Sequence, residues 1–87
     1  MRKRVVVHGR VQGVFFRDST RQRADSAGVA GWVANRPDGT VEAVFEGEAD
    51  AVDRLVEWMS DGPRGASVSR TEVNEEEPEG LSGFDVR

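Results

Sequence analysis

The sequence predicts an α+β fold, with two helices packed on one face of an antiparallel sheet in the order β-α-β-β-α-β. Three observations predict it. A β-branched run, Val5-Val6-Val7, opens the chain as a strand. Val52, Leu55, Val56 and Met59 recur at the i, i+3, i+4, i+7 spacing of one helix face. Arg36-Pro37-Asp38-Gly39 is a strong turn between two strand-like runs, because Pro presets φ and Gly accepts positive φ.

The first strand is expected over about Arg2 to His8. A glycine-punctuated loop follows from Gly9 through Gly13 to about Phe16. A helix then runs from about Phe16 to Ala27, with Gly28 as a left-handed cap. Its apolar face is thin: Phe16, Ala24 and Ala27, with Thr20 between them. The second strand covers about Val29 to Asn35. The third covers Thr40 to Glu46, with Val41, Ala43 and Phe45 inward, Thr40, Glu42 and Glu46 outward, and Val44 breaking the alternation. These two strands form a hairpin around the Pro-Asp-Gly turn. Asp50 is placed to cap the second helix, and Gly62-Pro63 stops it. A fourth strand is expected over about Ser67 to Val73. Glu75-Glu76-Glu77-Pro78-Glu79-Gly80 reads as a solvated loop, and Phe84-Asp85-Val86 as a short returning strand. Amphipathic helices and strands in this order pack as two layers, the ferredoxin-like split β-α-β arrangement. That arrangement hosts many unrelated functions, so function must come from the residues.

The composition narrows the function classes. A chain of 87 residues fits one domain, residues 1–87, with a modest core. There is no cysteine, which excludes a disulfide framework and thiol chemistry and fits a cytoplasmic setting. One histidine and no cysteine leave no ordinary zinc ligand set, so no metal is expected. The apolar stretches are too short to span a membrane, and Val5-Val6-Val7 is too short for a signal peptide's apolar region. The net charge of −4 does not suit nucleic-acid backbone binding. Basic residues nevertheless concentrate before Arg23, which permits a local positive field inside an acidic molecule. Nothing in the sequence demands more than a monomer.

Candidate chemistry sits in Gly9-Arg10-Val11-Gln12-Gly13-Val14-Phe15-Phe16-Arg17, between a strand and a helix. A loop there can turn successive backbone N–H groups inward, and the helix N-terminus adds unpaired donors and the positive end of its dipole. Gly9 and Gly13 let the backbone bend and approach a ligand closely. Arg17 adds a planar, permanently charged fork suited to two phosphate oxygens. Without a following Gly-Lys-Ser/Thr this is not a Walker loop, and the glycine spacing is not that of a dinucleotide fingerprint. By spacing alone, the segment reads either as an anion cradle with one guanidinium clamp or as a glycine-bent connection with a surface arginine.

That segment resembles the first signature of the acylphosphatase family. Gly31-Trp32-Val33-Ala34-Asn35, followed by Gly39, Val41 and Gly47, resembles the second at matching spacing. Gly62-Pro63 and Gly83-Phe84 fit the same family, so the resemblance covers essentially the whole chain. The departures, such as Val29 where leucine is more usual and Phe15 at a variable position, do not touch the motif residues. The resemblance implies hydrolysis of the mixed anhydride of a small-molecule acyl phosphate to a carboxylate and inorganic phosphate, with no cofactor. Carried over residue by residue, Arg17 binds the phosphoryl group. The backbone amides of Gln12, Gly13, Val14, Phe15, Phe16 and Arg17 cradle its oxygens, and Asn35 holds the attacking water.

These residue types suit the chemistry. Phosphoryl transfer asks mainly for positioning and for stabilisation of charge on the equatorial oxygens. Fixed N–H dipoles and an arginine supply both. The leaving group is a carboxylate, a weak base, so no general acid is required. The Asn35 amide takes up no proton and can only orient water. Carbamoyl phosphate, acetyl phosphate and 1,3-bisphosphoglycerate are all chemically suitable.

Other readings compete at particular residues. His8 ends the first strand and reads as a strand residue. Trp32 and Phe45 read as packing residues, and Phe15 and Phe16 as anchors of their loop. RNA-recognition domains share this topology, but they use exposed aromatics on a basic sheet, which these strands lack. Acylphosphatase-like domains also occur within larger carbamoyl-transferring maturation proteins. A terminal carboxylate at Arg87, close to an edge strand, would be placed to pair with Arg17.

Overall fold

The computed structural model describes all of residues 1–87. Its elements are β1 (Arg2–Arg10), α1 (Phe16–Ala27), β2 (Ala30–Asn35), β3 (Val41–Glu46), α2 (Ala49–Asp61), β4 (Ser67–Glu76) and β5 (Phe84–Val86). They form a ferredoxin-like α+β structure with sheet order β4-β1-β3-β2-β5. β1 lies antiparallel between β3 and β4, and β2 is antiparallel to β3. β5 adds at the edge parallel to β2, so the sheet is not antiparallel throughout.

Strand register decides which side chains meet the helices. Val5 and Val7 of β1 stand opposite Ala43 and Val41 of β3, and Val33 of β2 also stands opposite Ala43. All are fully buried, and they join Phe16 and Ala24 of α1 and Val52, Leu55 and Met59 of α2 in one core. α2 follows its apolar spacing, but Glu48 stands at the cap position and makes no side-chain cap bond, which places Asp50 inside the first turn. On α1 the buried face is Phe16, Thr20 and Ala24, while Ala27 is exposed. There the chain leaves through a Schellman turn, with Val29 N–H to Ala24 O at 2.9 Å and Gly28 N–H to Asp25 O at 3.2 Å. Val29 is buried in place of Ala27.

Gly31 of β2 faces Phe45 on one side and Phe84 on the other. Its missing side chain leaves room for those rings to stack at a centroid distance of 5.8 Å. Its φ of 142° lies outside the range of most side-chain-bearing residues, and a Cβ would come within 1.8 Å of Val44 O.

The helix-free face is covered by charge. Arg2 is 4% exposed and reaches Glu46 (3.3 Å), Glu76 (2.9 Å) and Glu79 (3.0 Å). Arg4 pairs with Glu76 at 2.7 Å and with Glu42. Under this layer Val44 is fully buried and Glu46 is buried too, as is Thr40 just before β3, while Glu42 is partly exposed. The same ion pairs carry β4 on to Glu76, through Glu75 and Glu76, which read locally as loop. This face presents paired charges rather than a basic surface with free aromatics. Trp32 lies half-buried there, under the guanidinium groups of Arg4 and Arg87.

Candidate active site

At Gly9 the ladder between β1 and β4 shifts register: His8 pairs with Arg70 and Gly9 with Val68. Gly9 has φ 124°, and a Cβ there would meet Ser67 O at 2.2 Å. This bulge turns the strand out into the loop that leads to α1. Gly13 (φ 74°) and Phe15 (φ 59°) are both left-handed, so the loop reverses direction within a few residues. A backbone bent this way points successive N–H groups into one concavity. The main-chain N–H groups of Gln12, Gly13, Val14 and Phe15 donate to no group in the protein. The first turn of α1 has no side-chain cap either, so its N-terminal donors stay open to a ligand.

Phe16 fixes this loop to the body of the protein. It is 2% exposed and meets Trp58 edge to face at 5.6 Å. Phe15 does the opposite of what its position before a helix suggested. Its ring is 79% exposed and anchors nothing.

Arg17, in the first turn of α1, and Asn35, the last residue of β2, line the same cleft of about 320 Å³ together with Gly13, Phe15 and Phe16. Both are half-buried. Asn35 stands opposite Val41 and so points to the helix side of the sheet, where α1 begins. Its side-chain amide makes no hydrogen bond within the protein and is open to a ligand in the cleft. Arg17 donates from Nη1 to the main-chain oxygen of Arg87 at 2.8 Å. Arg87 is held there by its own N–H to Val33 O (2.8 Å) and by its guanidinium 4.6 Å from the Trp32 ring. Arg87 is therefore in direct contact with Arg17.

The side chain of Gln12 is a part that sequence reasoning missed, since only its backbone amide was expected to matter. Gln12 Nε2 donates to Arg36 O at 2.8 Å and to Thr40 O at 2.9 Å. Those carbonyls belong to the β2–β3 turn, which is itself closed by Arg36 N–H to Thr40 O and by Thr40 Oγ1 to Asp38 Oδ1 at 2.6 Å. One amide thus locks the loop that starts at Gly9 to the turn that follows Asn35. The only local signal is a polar residue between Val11 and Gly13, and its partners lie far along the chain.

His8 is not among the residues around the cleft. Its Nε2 lies 2.5 Å from Glu72 Oε2 on the helix-free face, beside Arg70, as befits a strand residue. A second, larger groove between α1 and α2 holds Arg23 stacked over Trp58 at 4.8 Å and is lined by neither Arg17 nor Asn35.

The arrangement has the chemistry to hold an anion. It has a floor of open N–H donors, one guanidinium at the side and one uncommitted amide across from it. A family model described as acylphosphatase matches residues 3–86 of the chain. The chain is 64% identical to an acylphosphatase of Rubrobacter xylanophilus, over 99% of this chain and 79% of that protein. It is similar to the solved acylphosphatase of Bacillus subtilis, with a TM-score of 0.93 at 38% identity, covering 99% of this chain and 97% of that one. It is also similar to the acylphosphatase structure from Coxiella burnetii, with a TM-score of 0.94 at 44% identity, covering 99% and 90%.

Proposed function

The chain belongs to the acylphosphatase family and acts as an acylphosphatase on small-molecule acyl phosphates, and we propose that Arg17 and Asn35 are the side chains that carry the reaction. The observation that supports this reading is their convergence on one cleft whose loop amides have no partner in the protein.

In this reading the phosphoryl group lies on the N–H donors of Gln12, Gly13, Val14, Phe15, Phe16 and Arg17. The Arg17 guanidinium grips two of its oxygens, trading its bond to Arg87 O for the ligand. The main-chain N–H donors are fixed before substrate arrives, so they stabilise the charge that develops on the equatorial oxygens without reorganising. The Asn35 amide holds a water in line with the bond to be broken. The water oxygen bonds to phosphorus as the bond to the acyl oxygen breaks. The acyl group leaves as a carboxylate, and the water's proton ends on inorganic phosphate. Because the carboxylate is a poor base, the leaving oxygen needs no acid beside it, and Asn35 needs only to orient. A well-oriented nucleophile can contribute several kcal/mol, up to about 7–11 kcal/mol in the best intramolecular cases.

Gln12 serves this site as a positioning residue, because it holds the Asn35 turn at a fixed distance from the cradle. Residues 1–87 act as one catalytic domain, in this reading a cytoplasmic monomer. Product inhibition tests the assignment of Arg17. Inorganic phosphate should inhibit the native chain competitively, and Arg17→Ala should weaken that inhibition by about 10²-fold, in line with loss of a charge-assisted bidentate contact. An unchanged inhibition constant would remove Arg17 from the phosphate site.

A further inference from the structure

Phe15 is the only residue other than glycine with a positive φ, at 59°, and it carries a ring that is 79% exposed. The backbone bend has a reason of its own, since it turns the loop amides inward. Glycine or asparagine would meet that bend with less strain than a bulky side chain. The ring is not needed to fix the loop, because its neighbour Phe16 is buried and does so. A strained position that also leaves a large apolar group in water, at a functional cleft, points to a use for the side chain itself.

The ring lies where a use exists. Phe15 lines the cleft with Arg17 and Asn35, and Val86 of β5, itself 36% exposed, lines it too. The cleft therefore has a cationic, amide-lined part and an apolar rim. Asp18 also lines it, which disfavours a second negative charge near the mouth.

We propose that Phe15 is a specificity-determining residue that seats the acyl group, so that the site favours acyl phosphates with aromatic or extended apolar acyl groups over small polar ones. This rests on the hydrolytic reading given above. The phosphoryl group occupies the cradle whatever the substrate. An aromatic acyl group then covers the Phe15 ring, in the offset or edge-on contacts such rings prefer, and removes it and Val86 from water. An acetyl or carbamoyl group is too small to do so.

The test is the ratio of kcat/KM for benzoyl phosphate to that for acetyl phosphate, measured for the native chain, Phe15→Asn and Phe15→Tyr. Asparagine tolerates the left-handed backbone, so this variant is expected to fold. The ratio should fall on the order of tenfold in Phe15→Asn, consistent with loss of one aromatic contact and its burial, with most of the fall in KM for benzoyl phosphate. Phe15→Tyr should restore it. An unchanged ratio in Phe15→Asn, or an equal fall on both substrates, would overturn the proposal and leave Phe15 as a residue of loop shape. Absence of native turnover on both substrates would instead overturn the hydrolytic reading, and this inference with it.

Discussion

The side-chain amide of Gln12 donates to the main-chain oxygen of Arg36 at 2.8 Å, and so joins the anion loop to the turn beside Asn35. The pair relates the two halves of the site. If the distance between cradle and water-holding amide matters, Gln12 controls it.

Gln12→Ala should therefore lower kcat by roughly 10- to 100-fold, since misplacement by about 1 Å can cost about 10²-fold. KM and the inhibition constant of inorganic phosphate should move far less, because the cradle uses main-chain groups. Gln12→Glu, which replaces the donor by a carboxylate facing two carbonyl oxygens, should not rescue the rate. Steady-state kinetics with phosphate as inhibitor separate these effects. A loss confined to KM would show that Gln12 acts on binding alone.

Gly31 is the first residue of the second motif, yet it lies within the sheet and away from the cleft-lining residues. Gly31→Ala would drive a Cβ against the main chain of Val44, within 1.8 Å of its carbonyl oxygen. The expected loss of stability is about 3–5 kcal/mol, at the severe end for single substitutions. Urea denaturation would measure it. A loss below about 1 kcal/mol would mean that the β2–β3 pairing shifts to accept a side chain, against the close packing assumed here.

This residue also shows what sequence reading can and cannot see. Periodicity identified α2 because Val52, Leu55, Val56 and Met59 report only on their own helix. Gly28 marked the end of α1 for the same local reason. Glu75 and Glu76 read as loop because the β1 residues they pair with, Lys3 and Arg2, stand at the other end of the chain. Glu46 and Val44 lie on the outer face where the alternation put them, but their burial was not legible, because their cover comes from β1 and β4. In the site, spacing alone showed a bent loop between strand and helix with an arginine beside it, and left an anion cradle and a plain connection both open. Asn35 was legible only through the resemblance of its motif. The Gln12 bridge and the outward ring of Phe15 needed coordinates, because one depends on a distant carbonyl and the other on a single φ.

The charged layer predicts the acid response. Hydrogen bonds from Arg4 and Arg2 hold the Glu76 carboxyl below the ordinary glutamate range. Burial pushes Glu46 up, but the N–H groups of Gly80 and Glu79 and the Arg2 guanidinium outweigh it, so that carboxyl is lowered as well. The His8 contact lowers Glu72. A carboxylate whose folded value is lowered binds fewer protons folded than unfolded. Its stabilisation is complete above the unfolded value of about 4.3 and is lost as pH falls through the folded value. Tm should therefore be flat from about pH 7 to 5 and drop steeply below about 4.3.

Glu76→Gln should lower Tm at neutral pH and flatten that acid slope, because Arg2 loses a partner while nearly buried. The expected loss is about 1–3 kcal/mol, the range for leaving a buried polar group short of a bond. Thermal melts across pH check both parts. An unchanged acid slope in the variant would assign the acid response to other groups.

The most direct test of the site is hydrolysis of benzoyl phosphate in the presence of EDTA, comparing the native chain with Asn35→Ala. The account predicts fast native turnover and a loss on the order of 10²-fold or more in the variant, the scale for removing one oriented donor, with inorganic phosphate still bound. Native turnover that does not depend on Asn35 would contradict it, as would a variant that loses phosphate binding together with rate.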